Sequence, residues 1–294
     1  MNYYNEIKKE LINNEISRKV KNYSINTSDL DTYYSVGKIL SEAGKHYGDY
    51  IIKEYSERLT EELGKGYTVS NLKRFRQFFN LIGKGATLSH QLSWSHYSEL
   101  IPLNNTDEIN YYIKISIDQS LSVRNLRNRI KSREYERLDK ETKRKLINNE
   151  ENNIMEFVKN PILIKNKHDY ENISEKILQK LILEDIESFM RELGNGISFI
   201  ASEYKIKLGD KYNYIDILLF NIEFNCYLVV ELKTHELRKE SIGQIEIYMN
   251  YIDKNIKKNN QANTVGIIIC KKDNKYIIEY CSDRRIISRE YMLI

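Results

Sequence analysis

The sequence predicts an α+β protein of two domains: an all-α N-terminal domain with a helix-turn-helix-like layout, and a C-terminal α/β domain around a mixed sheet. Three observations predict it. Over residues 1–150, apolar residues recur three and four positions apart, as on a helix with one buried face. From Ile197 onward the pattern changes to β-branched and aromatic runs bounded by Gly, Asn and Asp, which read as strands. The order helix, three strands, helix, strand in that second half is the order of an α/β sandwich. At 294 residues and 41% hydrophobic content, two ordinary domains fit better than a disordered chain. The expected division is 1–155, helical, and 156–294.

Several classes are excluded or disfavoured at once. No run of about 18 apolar residues occurs, and MNYYNEIKKELINNE has no apolar leader core, so neither a membrane span nor a membrane partner is expected. Cys226, Cys270 and Cys281 are odd in number, and Cys226 and Cys270 fall in apolar strand-like runs. They read as reduced thiols of a cytoplasmic protein, not as disulfides or a zinc site. The five histidines show no ligand spacing, and P-loop, GxGxxG and GxSxG motifs are missing. The formal charge of +4 is divided as +5 over residues 1–150 and −1 over the remainder, which permits an anionic partner for the first half without requiring one.

Among the N-terminal elements, Tyr34-Val36-Ile39-Leu40 and Ile51-Ile52-Tyr55-Leu59 carry helical stripes, and Gly64-Lys65-Gly66 stops the second. Thr68 and Ser70 then offer hydroxyl caps for a helix through Phe79. Helix, glycine turn, capped helix is the helix-turn-helix layout, though purely structural helix pairs share it. Leu72, Phe75, Phe78 and Phe79 give this helix a buried side, and Lys73, Arg74 and Arg76 a basic one that could lie along phosphates. A solvated cationic face is the competing reading. Thr68-Val69-Ser70-Asn71-Leu72-Lys73 is echoed by Ser122-Val123-Arg124-Asn125-Leu126-Arg127, followed by Arg129, so a second capped basic helix is expected there. Trp94, the only tryptophan, is expected to pack between helices.

Residues 134–170, rich in Lys, Asn and Glu and holding Pro161, read as a helical or irregular connector. Ile173 to Leu193 reads as one amphipathic helix ended by Gly194-Asn195-Gly196. Strands are expected at Ile197–Leu208, Asn213–Phe220 and Asn225–Lys233, a helix at Glu240–Ile256, and strands at Thr264–Cys270 and Tyr276–Tyr280.

The chemistry concentrates in YNYIDILLFNIEFNCYLVVELK, Tyr212 to Lys233. Asp216 sits inside one apolar run of a hairpin, and the second run closes on Glu231-Leu232-Lys233. Side chains alternate across a strand, so Glu231 and Lys233 share a face. If Asp216 joins them, two carboxylates and an ammonium converge in a covered strand pair, where an unpaired carboxylate normally needs a partner or a metal. The bland alternative is a turn residue and a solvated strand end.

Asp on the second strand with Glu-x-Lys on the third resembles the core of the PD-(D/E)XK nucleases. LTEELGKGYTVSNLKRFRQFF, LSWSHYSEL, YIDILLF, VELK, GQIEIY and GIIICKK are similar, in order, to the bacterial YhcG-like family, whose members join a helical winged-helix-like domain to a PD-(D/E)XK domain. That resemblance implies metal binding by Asp216, Glu231 and the Leu232 carbonyl, with Lys233 as catalytic lysine. It also implies that Gln244 acts in the site and Tyr248, one turn on, contacts DNA. The family's carboxylate on the first core helix is replaced by Gln179, so Glu175 or Glu184 would have to supply it. Arg124, Arg127 and Arg129 join Lys73, Arg74 and Arg76 as candidate DNA contacts. The implied function is a Mg²⁺- (or Mn²⁺-) dependent deoxyribonuclease acting on DNA. The alternative is a catalytically weak or inactive nuclease-fold DNA-binding or regulatory module in a defence or toxin–antitoxin-like complex, partnered by a second copy or a defence-system protein.

Overall fold

A computed structural model describes residues 3–20, 25–47, 50–148, 150 and 154–294, which form two compact units, Met1–Tyr135 and Glu136–Ile294. No helix among the described residues is long and apolar enough to cross a membrane.

Among the described residues, the regular structure of the first unit is all helical: α1 Tyr3–Val20, α2 Ile25–Tyr47, α3 Ile51–Leu63, α4 Val69–Gly83, α5 Trp94–Leu100, α6 Thr106–Asp118 and α7 Val123–Lys131. Gly64 follows α3 at φ +93°, a conformation that costs a residue with a Cβ, and so ends that helix. The Thr68 hydroxyl then accepts the Asn71 N–H at the start of α4, and the Ser122 hydroxyl accepts the Asn125 N–H at the start of α7. The echoed hexapeptides are thus two helix starts of one design, each burying its leucine completely, Leu72 and Leu126. Trp94 packs against Tyr33, Phe75 and Phe78. Gly37 lets α2 and α4 approach: a Cβ there would stand 2.1 Å from the Phe75 carbonyl oxygen.

In the second unit the order is α8 Lys140–Asn148, a 3-10 turn Ile154–Phe157, β1 Ile162–Ile164, α9 Glu175–Glu184 and α10 Ile186–Leu193. It continues with β2 Ile197–Leu208, β3 Lys211–Asn221, β4 Cys226–Glu236, α11 Lys239–Asn255, β5 Val265–Lys272, α12 Lys275–Glu279 and β6 Ile286–Leu293. The strands form one mixed sheet in the order β1-β6-β5-β4-β3-β2. β2, β3 and β4 are antiparallel neighbours, and β4, β5, β6 and β1 run parallel. Alternation along β4 sends Leu228, Val230 and Leu232 into the layer formed by Leu178, Leu181 and Ile182 of α9 with Phe189 and Leu193 of α10. Val229 goes to the opposite layer, with Ile245, Met249 and Ile252 of α11. Gly266 brings α11 close to β5, since a Cβ there would meet the Met249 sulfur at 2.5 Å.

The structure departs from the sequence reading in several places. The single helix expected over Ile173–Leu193 is two, because Asp185 leaves helical geometry and its carboxylate caps α10 by accepting the Ser188 N–H. Tyr276–Tyr280 is not a strand; Lys275–Glu279 forms the short helix α12. β1 and β6 were not anticipated, and they extend the sheet by parallel pairing between Ile162–Ile164 and Tyr291–Leu293. From Glu136 on, the connector, where described, belongs to the second unit. Arg137 pairs with Glu192 and donates to the Pro161 carbonyl at 2.8 Å, and the Thr142 hydroxyl donates to the Glu156 carbonyl.

Candidate functional site

The site forms where β3 leaves β4. Their pairing runs from Asn221↔Cys226 to Ile217↔Val230, so Asp216 and Glu231 are the next positions of the ladder. Asp216 accepts the Leu232 backbone N–H through Oδ2 at 2.8 Å, which pins its carboxylate at this fork. Gln179 of α9 donates through Nε2 to the Asp216 carbonyl oxygen at 2.8 Å and holds the strand from the other side. Glu231 is 1% exposed and Lys233 9%, and their charged ends meet, with Nζ 3.3 Å from Oε2. Glu175, at the start of α9, brings its Oε2 to 3.9 Å from the same Nζ. The other Glu231 oxygen, Oε1, is buried without a hydrogen-bond partner.

Electrostatics follow from this crowding. Burial pushes the Glu231 carboxyl up from its ordinary 4.5 to about 8; the Asp216 charge adds to the rise, and Lys233 opposes it. Burial also raises the Asp216 carboxyl. The Leu232 N–H and Lys233 pull it back, and Glu175 and Glu203 push it further up. An orphaned buried carboxylate oxygen beside a second carboxylate suits an oxygen-seeking divalent cation. The two acids and a strand carbonyl would supply only part of its shell: among the described residues, no group of three or more His, Cys, Asp or Glu could hold a metal on its own.

Glu203 is the residue that sequence reading missed. β2 pairs with β3 through Ser202↔Ile217 and Tyr204↔Ile215, leaving Glu203, at φ +49°, facing the Asp216 position across a break in the ladder. The signal was present in the two-residue Gly209-Asp210 turn, because counting back from Leu208↔Lys211 sets 203 opposite 216. Of the two candidate replacements for the family carboxylate, Glu175 reaches the site. Glu184 instead engages His168 at 2.9 Å and does not join the cluster. Gln244 is half-buried and donates to the Tyr248 hydroxyl at 3.1 Å. Tyr248, expected to contact DNA, has its ring buried among the apolar residues of α11 and the sheet, so it supports Gln244 from within.

In the first unit, Lys73, Arg74 and Arg124 are exposed and Arg76 is half-buried. Arg127 is engaged in a bidentate pair with Glu99, at 3.0 and 2.7 Å. That pair, Lys131 of α7 and Arg74 of α4 together hold the Glu99 carboxyl below its usual range, so the basic sides of both capped helices converge on one acid. Arg129 does not face outward. It is enclosed at 13% side-chain exposure, bonded to Glu134 and Gln119, because α7 turns that side toward α6.

Residues 155–293 match the family model described as the YhcG PDDEXK nuclease domain, and residues 7–137 match the DUF1016 N-terminal domain. The chain is 23% identical over 291 residues to the Escherichia coli (strain K12) protein named "Putative nuclease YhcG", covering 84% of this chain and 78% of that one. Similar solved structures include a repair endonuclease from Pyrococcus abyssi, at 19% identity, and EndoMS in a complex with double-stranded DNA, at 18% identity. Each covers 43% of this chain with a TM-score of 0.29, and this chain spans about half the length of each.

Proposed function

Because the chain belongs to the YhcG nuclease family, joining a DUF1016 N-terminal domain to a YhcG PDDEXK nuclease domain, we propose that it hydrolyses phosphodiester bonds of DNA with a divalent cation, Mg²⁺ or Mn²⁺. The observation that carries this reading is the fork itself: Asp216, Glu231 and Lys233 drawn together, with Glu231 Oε1 buried and unpartnered. Asp216, Glu231 and the Leu232 carbonyl would hold the cation, with water and phosphate completing its shell. When bound, such an ion acidifies a coordinated water and offsets charge on the scissile phosphate.

The remaining work falls to the chain. The Leu232 N–H keeps one Asp216 oxygen fixed and leaves the other outside that bond. Gln179 prevents the Asp216 backbone from yielding as charge gathers there. Lys233, held between Glu231 and Glu175, places a positive charge where the attacked phosphate becomes more negative, and it can orient the attacking water. Burial of Glu231 excludes competing solvent from this edge. In the first unit, Lys73, Arg74 and Arg124 would engage the DNA backbone.

The test is cleavage of linear, circular and branched DNA in Mg²⁺ by the wild type and by Asp216→Ala, Glu231→Ala and Lys233→Ala. Each variant should lose cleavage while remaining folded. DNA binding in Ca²⁺ should largely survive. Full activity in Lys233→Ala would remove this fork as the catalytic centre.

A further inference from the structure

We propose that the β2–β3 ribbon beyond the fork is the track that carries one unpaired nucleic-acid strand to Asp216. This deepens the nuclease reading and rests on it for the identity of the ligand. β3 pairs with β4 only from Ile217 onward, so Lys211–Asp216 continues as a two-stranded ribbon with β2 alone. One face of that ribbon is accounted for: Ile206 and Ile215 are buried, and Tyr204 and Leu208 pack beside them, in the layer that includes α11. The other face has no such cover. It presents Lys205 opposite Tyr214 and Lys207 opposite Tyr212, all four exposed, the rings at 51% and 56%.

The pattern is unusual for a solvent-facing ribbon. Two large rings left open at successive positions of one face are a cost that solvation does not repay. Their cross-strand partners are both cations, and the Lys205 ammonium stands 3.8 Å from the Tyr212 ring centroid. Rings with interleaved ammonium groups suit a chain of bases and phosphates: π-faces take unstacked bases and cations take the phosphates between them. A duplex keeps its bases stacked and has no use for the rings, so the geometry favours a single strand or the splayed arm of a branched substrate. The strand also leads to the chemistry: along β3, Tyr212 and Tyr214 precede Asp216 at two-residue intervals, about 7 Å each.

The experiment uses the full chain carrying Lys233→Ala, in Ca²⁺, so that binding is measured without cleavage. The probes are a fluorescein-labelled single-stranded oligonucleotide, the same backbone with abasic positions, and a blunt hairpin duplex, read by anisotropy. Tyr212→Leu with Tyr214→Leu should weaken single-strand binding by at least about fivefold per ring and leave the salt slope unaltered. Lys205→Gln with Lys207→Gln should reduce the slope of log affinity against log salt by about 1.4, the value for two phosphates of a single strand. The abasic strand should bind the unmutated ribbon as weakly as the base-bearing strand binds the tyrosine variant. Equal affinity of the unmutated ribbon for base-bearing and abasic strands would overturn the proposal. So would a tyrosine variant that loses duplex affinity as strongly as single-strand affinity. The nuclease reading is judged separately, by metal-dependent cleavage with Lys233 intact: a ribbon that binds strands in a chain that never cleaves sinks that reading alone.

Discussion

Glu231→Gln makes the burden of the metal-free site measurable. The Glu231 carboxyl is ordinary at 4.5 when the chain is unfolded and is pushed to about 8 in the fold. The unfolded chain therefore releases this proton first, and stability falls as pH rises from about 4.5 to about 8, levelling off above. At about 1.36 kcal/mol per pH unit, the whole loss is on the order of 5 kcal/mol, roughly 3–4 of it between pH 5 and pH 8. Glutamine keeps the shape and cannot ionise, so the stability of the variant should lack this fall. A buried amide next to Lys233 costs on the order of 1–3 kcal/mol at every pH, which makes the pH dependence, not the absolute value, the quantity to compare. Amide hydrogen exchange of β4 and β5, corrected for intrinsic rates, in EDTA at pH 5, 6.5 and 8, reads the site directly. Mg²⁺ should restore protection in the wild type at pH 8 and do little for the variant. Parallel pH profiles for the two proteins would refute the picture of a buried carboxyl that resists ionisation.

Other substitutions separate the parts. Asp216→Asn keeps an oxygen for the Leu232 N–H while removing a crowded charge, so thermal stability without metal should rise and the Mg²⁺-induced increase should vanish in calorimetry. Glu175→Ala should diminish that metal-induced increase, and Glu184→Ala should leave it intact. Gln179→Glu replaces the donor facing the Asp216 carbonyl with an acceptor and should cost about 1–3 kcal/mol in metal-free protein. Arg129→Ala should destabilise the first unit by a few kcal/mol, read by Trp94 fluorescence in urea, whereas Arg124→Ala should affect only DNA affinity and its salt slope.

Much of the nuclease unit was legible because its strands announce themselves. Asp216 in Ile215–Phe220, and Glu231 with Lys233 after Cys226–Val230, lie in or at the end of apolar runs that mark strands locally, and the two-residue period puts Glu231 and Lys233 on one face. The two basic helices were legible for a similar reason: Thr68 and Ser122 mark starting points that depend only on local hydrogen bonds. Long-range partners were harder to see. β1 is three residues long and gains its place only by pairing with Tyr291–Leu293, more than a hundred residues later. YIIEY satisfies a strand pattern and a single helical turn equally well. The burial of Arg129 and of Tyr248 depends on which side of a helix meets its neighbours, and a basic or aromatic letter does not carry that information.

Glu192 has a meaning for how such chains can be recombined. Its carboxylate receives the Arg137 guanidinium and the Leu163 N–H, and the Arg137 carbonyl in turn accepts the Asn160 N–H. Twenty-odd residues ahead of the catalytic fold's first strand are thereby part of its foundation. A nuclease fragment begun at residue 156 would leave behind the guanidinium that Glu192 was built to meet, whereas one begun at 136 would carry it along. Exchange of N-terminal modules between relatives should therefore succeed when the junction falls at 135/136, and yield poorly folded chimeras when it falls past Arg137.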